Sequence, residues 1–354
     1  MKIESYKEPG NLTEEEPLVT LIIVPRERFS LSLSSLHNIL ENNAIPFSLV
    51  YVDGGSPAKI RDQLAEEAIR LGFKLIRSDK YLFPNQARNI GLRHATTRYV
   101  VFIDNDIYVA PGWLEALVRC AEETEAAAVG PLYFQGEIQE YIIHMAGGLA
   151  YIREENGRRI CHVEDFLEHQ RLYDIKETLF RQETELLEFH CMLVRRSVLD
   201  RIGSLDEGFK NTREHIDFCM TLRAAGEKVF LEPAAHIAYR RPPPFALSDL
   251  PFFMLRWGEA WTRATLDHYH RKWNLQADET DQTLSWTKKQ RYRFLEPFLS
   301  KFLSIMFKAL GRRRTRRLIQ ITLFPIEGII NRFFIRAPRS SENTLNKSGA
   351  SGPA

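Results

Sequence analysis

Tyr99-Val100-Val101-Phe102-Ile103-Asp104-Asn105-Asp106 decides how the chain is read. Apolar residues, mostly β-branched or aromatic, end abruptly at two carboxylates that flank an amide. Such a run reads as a strand buried on both faces, as in a parallel sheet. In open α/β sheets ligands bind beyond the carboxyl ends of the strands, which is where Asp104 and Asp106 fall. Carboxylates at i and i+2 suit one hard divalent cation, and such a cation suits a diphosphate. As a bare tripeptide, Asp-Asn-Asp is also good turn and capping composition. Its place after this strand and before Pro111-Gly112-Trp113 favours the metal reading.

The sequence upstream repeats the same grammar. Val19-Thr20-Leu21-Ile22-Ile23-Val24 reads as a strand stopped by Pro25, with Arg26-Glu27-Arg28 a charged loop beyond it. Ser30 or Ser32 suits the cap of a helix running to about Glu41. Phe47 to Val52 is the next strand, ending at Asp53-Gly54-Gly55-Ser56, and Ser56-Pro57 opens a helix that Gly72 stops. Phe73 to Ile76 is a short strand, and Pro84-Asn85-Gln86-Ala87-Arg88-Asn89 opens another helix. Strands alternating with helices of this length predict an α/β, Rossmann-like fold with a mostly parallel central sheet and right-handed crossovers. Three strand ends then deliver Glu27, Asp53 and Asp104 to one rim.

Downstream, Pro111 starts a helix to about Thr124, and Ala127-Ala128-Val129 is a strand. Residues 135–185 hold Gly147-Gly148 and a charged stretch, and read as the variable part of the domain. Leu186 to Val194 is expected to be a strand with Glu188 and His190 on one face. Arg196 to Ile202 suits a helix stopped by Gly203, and a helix from Ile216 to Ala225 makes Asp217 a candidate N-cap. Val229-Phe230-Leu231 leads to Pro233 and His236.

The chain has 354 residues, enough for one large domain or two smaller ones. Cys120, Cys161, Cys191 and Cys219 form no CxxC pair, so no zinc framework or redox motif is expected, only free buried thiols. A polar N-terminus without a signal-peptide pattern, and no apolar run near the ~18 residues of a spanning helix, predict a cytoplasmic protein. Net charge is +2, yet residues 288–339 carry fourteen Lys/Arg against two Glu, a balance of +12 that leaves −10 for the rest. Bulky apolar residues interleave that basic run, which predicts amphipathic helices on an anionic membrane surface. Nucleic acid is not expected as a partner, since no reading surface or stacking platform accompanies the charge.

Taken together, several motifs resemble a family 2 glycosyltransferase of the GT-A fold, over roughly Leu18 to Arg240. They are the opening strand with Pro25, Val52-Asp53-Gly54-Gly55-Ser56, Gln86-Ala87-Arg88-Asn89-Ile90-Gly91 and Asp104-Asn105-Asp106. Cys191 to Arg196 with Gly203-Ser204-Leu205-Asp206-Glu207, and Glu214-His215-Ile216-Asp217 followed by Leu222-Arg223-Ala224-Ala225-Gly226, complete the set. The resemblance implies a nucleotide-sugar donor (UDP-, GDP- or dTDP-linked), a divalent metal (Mn2+ or Mg2+) and inverting transfer to a hydroxyl of a glycan or lipid-linked acceptor. By position, Asp53 would contact base or ribose, and Arg88 with Asn89 would lie near the nucleotide. Asp106 would bind the metal directly, and Asp104 would hold ribose, sugar or metal. Pro25, Glu27, Asn105 and His190 complete the donor site that the resemblance implies. His236 matches where some GT-A enzymes keep a third metal ligand, although a lone His between apolar neighbours also reads as structural. Two positions depart from the pattern. A second acidic residue after Asp53 is replaced by Gly54, and the Glu-Asp pair that carries the usual base is Glu214-His215. An imidazole, with an unperturbed pKa of ~6.5, is a competent base near neutral pH; Glu214 and Asp217 are the other candidates.

The expected organisation is a leader over 1–17 and a catalytic domain over 18–245, with a nucleotide-binding half (18–110) and an acceptor half (111–245). A helical extension packed on the core (246–285), basic membrane-associating helices (286–339) and a disordered tail (340–354) follow. The function expected is synthesis of a surface glycan or glycolipid. Two other readings stand beside it. A nucleotidyltransferase would need a glycine-bearing phosphate loop after the first strand, which Pro25 to Arg28 lacks. A non-catalytic sugar-nucleotide binder or membrane scaffold is motivated by the altered Glu-Asp pair.

Overall fold

The computed structural model describes residues 16–239, 246–276, 282–291, 305–311, 313–314 and 329. The strands are β1 (Val19–Val24), β2 (Phe47–Gly54), β3 (Lys74–Ser78), β4 (Tyr99–Asp104), β5 (Ile107–Val109) and β6 (Ala128–Gln135). They continue as β7 (Ile143–Met145), β8 (Gly148–Glu155), β9 (Arg158–Asp165), β10 (Gln182–Glu183), β11 (Cys191–Arg195) and β12 (Val229–Tyr239). The main helices are α1 (Ser32–Glu41), α2 (Ala58–Leu71), α3 (Pro84–Leu92), α4 (Trp113–Thr124), α5 (Leu172–Ile175), α6 (Arg196–Ile202), α7 (Glu214–Ala224), α8 (Leu250–Arg256) and α9 (Glu259–Trp273).

The large sheet runs β10-β12-β6-β11-β4-β1-β2-β3. β1 is parallel to β2 and β4, β2 to β3, and β12 to β6. β11 is antiparallel to both neighbours, so it separates the parallel block β4-β1-β2-β3 from the parallel pair β6 and β12, beside which β10 runs antiparallel. Every residue of β1 and β4 is buried, as two-sided coverage by helices requires. α3 lies on β1, where Gly91 lets its backbone approach Ile22.

Several expectations need correction. The strand expected over Leu186 to Val194 begins only at Cys191, and Glu188 and His190 sit in the turn before it. Neither Ser30 nor Ser32 caps α1: Ser30 bonds Asp249, and Ser32 accepts from Asn105. α7 starts at Glu214, after Arg213 in a left-handed conformation, so Asp217 lies inside the first turn and is not its cap. The helical extension divides into α8 and α9 at Trp257-Gly258, where any side chain at 258 would press on the Leu255 carbonyl at 2.9 Å. Within residues 135–185, β8 and β9 form a hairpin whose turn, Asn156-Gly157, has positive φ at both residues.

The extension over 246–276 meets the main core through Tyr269, Trp273 and Leu275, while Phe253 and Trp257 form a small cluster of their own. The leader to residue 15 and the tail over 340–354 lie outside the described residues, as does most of the basic segment over 286–339. Among the described residues no helix is long and apolar enough to cross a membrane.

Candidate active site

Asp104 ends β4 in register with Val24 of β1 and one residue beyond the last pair with β11. Three strands therefore meet at its carboxylate. Oδ1 accepts from Arg88 Nη2 at 3.1 Å, Oδ2 accepts from Arg26 Nη1 at 3.1 Å, and Oδ2 lies 3.2 Å from His190 Nδ1. Burial alone would push this carboxyl up. Arg26, the hydrogen bond to His190 and Arg88 outweigh it and hold the group far below the usual carboxylate range. Arg88 is itself fixed, with Asn85 accepting from Nη1 at 3.1 Å and the Phe189 ring 4.2 Å from its guanidinium.

Asn105 works as a clip. Its backbone N–H donates to Val24 O, its Oδ1 accepts from the Arg26 N–H, and its Nδ2 donates to Arg28 O and Ser32 Oγ. The amide so holds the loop after β1 against the end of β4, which leaves little of it for a donor. Asp106 is different. Its carboxylate is fully buried, its nearest cation is Arg28 Nη2 at 3.8 Å, and neither oxygen has a hydrogen-bond partner among the described residues. Burial pushes its pKa upward against the pull of Arg28. Two buried, unbonded oxygens of a hard donor fit a hard divalent cation.

At the end of β2, Asp53 accepts from the Ser56 N–H at 2.9 Å and the Ser56 hydroxyl at 2.7 Å, and also pairs with Arg77. It closes its own turn. Gly54, where an acidic residue is absent, is fixed sterically, since a Cβ there would meet Pro25 Cγ at 2.8 Å. Glu27 accepts from the Tyr239 hydroxyl at 2.7 Å, and Tyr239 stacks on His190 with centroids 4.9 Å apart.

Arg26, Glu27 and His190 form one wall of a cavity of about 870 Å³, with Glu188, His144 and His215 beside them. Glu188 lies 3.7 Å from His215 Nε2 and 4.0 Å from His190 Nε2. Burial would raise its carboxyl, but His215, His190 and His144 together draw it down to about 2. Among the described residues, His144, Glu188 and His190 form a group able to hold a metal ion, with donor atoms all within 4.8 Å of one another.

Several residues of the expected site are committed elsewhere. Asn89 donates to Leu205 O at 2.8 Å and Glu207 Oε1 at 2.9 Å and accepts from the Leu205 N–H, so it ties α3 to the loop before α7. Asp217 accepts from Lys272 Nζ and Trp273 Nε1, both at 2.8 Å, and so anchors α7 to α9. It lies away from the large cavity, which α7 faces with Glu214 and His215. Glu214 is buried against Arg256 at 3.3 Å. His236 packs edge-on against Phe134 in β6, and burial lowers its pKa. His144 was not singled out by the sequence. Its only local signal is the short alternation of Ile143-His144-Met145 within the stretch read as variable.

Comparison with known proteins bears on the family and the fold. Residues 22–203, a little over half of the chain, match the family described as Glycosyl transferase family 2. The uncharacterized protein y4gI of Sinorhizobium fredii is 25% identical over 274 residues, covering 73% of this chain and 28% of that protein. The O-antigen biosynthesis protein RfbC of Myxococcus xanthus is 25% identical over 223 residues, covering 60% of this chain and 16% of that protein. This chain spans less than a third of the length of either relative. Among solved structures, GalNAc-T7 with UDP, GalNAc and Mn2+ superposes with a TM-score of 0.50 at 14% identity, over 80% of this chain and 58% of that one, a likeness of fold. The matched stretch runs from β1 through the Asp104 rim to the end of α6, and on that ground the chain, with its GT-A fold, belongs to glycosyl transferase family 2.

Proposed function

We propose that this glycosyltransferase moves a sugar from a nucleotide-sugar donor to a hydroxyl acceptor by a single inverting displacement. The observation that carries the reading is Asp106, whose buried carboxylate oxygens lack hydrogen-bond partners among the described residues at the carboxyl end of β4. A divalent cation, Mn2+ or Mg2+, would be held there by Asp106. Asp104, with its oxygens taken by two arginines and His190, acts as the post that orients them. When bound, the cation neutralises charge on the departing diphosphate.

The chain's own groups supply the rest. Arg26 and Arg28 bring positive charge to the rim where a diphosphate would sit. The acceptor enters the cavity that α7 lines, and His215 takes its hydroxyl proton. Glu188, held ionised 3.7 Å from His215 Nε2, steadies the imidazolium that forms. The nucleotide-sugar reading is supported by the fold shared with a structure holding UDP and Mn2+, and the surface-polysaccharide reading by the name of the Myxococcus relative. The basic segment over 288–339 is proposed to hold the enzyme on an anionic, cytoplasmic-facing membrane surface, with a glycan or lipid-linked acceptor.

A second reading, a nucleotide-sugar binder without turnover, is favoured by one observation. Arg26 and Arg28 already pair with Asp104 and Asp106. A thermal-shift panel of nucleoside diphosphates and nucleotide-sugars, with and without Mn2+, followed by donor hydrolysis, decides between them. A metal-dependent shift absent in Asp106→Ala, with hydrolysis of that donor, is expected for the transferase. A shift without hydrolysis or transfer to any acceptor supports the binder, and no shift with any nucleotide overturns both.

A further inference from the structure

We infer that His144, Glu188 and His190 form a second metal site, distinct from Asp106, that binds one first-row divalent cation of the zinc class through two imidazoles and a carboxylate. Two segments far apart in sequence converge to make it. His144 comes from β7, and Glu188 and His190 from the turn that precedes β11. Their donor atoms all lie within 4.8 Å of one another, and the imidazoles of His144 and His190 meet edge-on at 66° with centroids 5.6 Å apart.

The surroundings are those of a ligand shell. His190 Nδ1 lies 3.2 Å from Asp104 Oδ2, a carboxylate that also pairs with Arg26 and Arg88, so Nδ1 is engaged and Nε2 is the nitrogen turned toward Glu188. That nitrogen lies 4.0 Å from Glu188 Oε2. A carboxylate behind a histidine, fixing its tautomer and raising its basicity, is the arrangement that supports histidine ligands to metals. Two donors on one tetrahedral ion with bonds of about 2.1 Å sit about 3.4 Å apart, so closure on an ion asks for a modest contraction.

The donor set names the class of ion. Two imidazole nitrogens and one carboxylate oxygen suit Zn2+, Co2+ or Fe2+ better than Mg2+ or Ca2+, which prefer all-oxygen shells. All three residues line the large cavity, so the remaining coordination positions open onto space that a substrate hydroxyl or carbonyl can enter. Asp106 does not line that cavity, and its all-oxygen chemistry is of the other kind. Nothing in this site depends on a nucleotide being bound.

Co2+ titration of untagged, chelator-treated full-length protein tests the assignment, read by visible absorption in the absence of nucleotide. One equivalent is expected to give the intense d–d bands of a four- or five-coordinate nitrogen-ligated ion, displaced by Zn2+. His144→Gln and His190→Gln, the latter retaining a polar contact to Asp104, should each weaken Co2+ binding by more than about tenfold. Asp106→Asn should leave the bands in place. Absence of nitrogen-ligated bands in the wild-type protein overturns the site, as do bands unchanged in both histidine variants or lost in Asp106→Asn. Should the histidine variants melt below the wild type without metal, X-ray absorption on the zinc-loaded wild type decides. Two imidazoles and an oxygen ligand support the site, and an all-oxygen shell removes it.

Discussion

The Asp249 carboxylate receives the hydroxyl of Ser30 at 2.5 Å and the backbone N–H groups of Phe29 and Ser30 at 2.9 and 3.0 Å. Asp249 belongs to the helical extension, and Ser30 follows the loop that carries Arg26 and Arg28. The extension therefore fixes the loop that meets Asp104 and Asp106, a contact reinforced by Phe252 packing on Phe29 at 4.9 Å between centroids. Asp249→Ala strands two backbone donors in a buried place and should cost about 2–3 kcal/mol in urea unfolding. Because the loop borders the donor rim, the same variant should raise the donor KM more than it lowers kcat. An unchanged KM would separate the extension from the site.

Asp106→Asn is expected to fold as well as the wild type, since the amide keeps the shape and removes a buried charge that lacks hydrogen bonds. Its kcat should fall about 10²–10³-fold, the usual effect of losing one electrostatic stabiliser of the leaving group. Mn2+-dependent thermal stabilisation in the presence of a nucleoside diphosphate should vanish with it. Equal metal-dependent shifts in the two proteins would place the cation elsewhere.

The first half of the fold was legible because each strand from β1 to β4 announces itself by an apolar run ended by Pro, Gly or a carboxylate. The Asp104-Asn105-Asp106 rim was legible for the same reason. What the pattern hides is the partner. Nothing in the sequence says that Arg26 and Arg88 occupy Asp104. The reversal of β11 was invisible because a buried strand reads alike in either direction, so Glu188 and His190 went to a strand face when they sit in its entry turn. His144, more than forty residues from both, meets them only because β7 pairs beside β6. One signal was present and unused: Asn156-Gly157 between alternating segments specifies the β8–β9 hairpin.

His236 offers a clean discrimination between a ligand and a packed side chain. Its imidazole lies edge-on to Phe134, and burial lowers its pKa below the ordinary 6.5. A base with a lowered folded pKa binds fewer protons in the native state. The stability it supports is full above the unfolded pKa and declines as pH falls through 6.5 toward the lower native value. His236→Gln should therefore flatten the melting-temperature profile on the acid side of pH 6.5 and leave Mn2+ affinity within about twofold of the wild type. A tenfold loss of metal affinity would restore the ligand reading.

The last prediction concerns the base, and it rests on how α7 presents its first turn. His215 reaches the cavity beside Glu188, whereas Glu214 is buried against Arg256 and Asp217 is bound to Lys272 and Trp273. Loss of a general base typically costs 10²–10⁴-fold in rate, so His215→Ala should lose about that much in kcat while melting near the wild-type temperature. Added imidazole should recover part of the rate. Glu214→Ala should behave oppositely: it leaves Arg256 buried without its carboxylate, and about 3–5 kcal/mol of stability should go before any chemistry is lost. Asp217→Asn should loosen the α7–α9 contact and change kcat little. Full turnover in His215→Ala would remove the imidazole from the proton transfer.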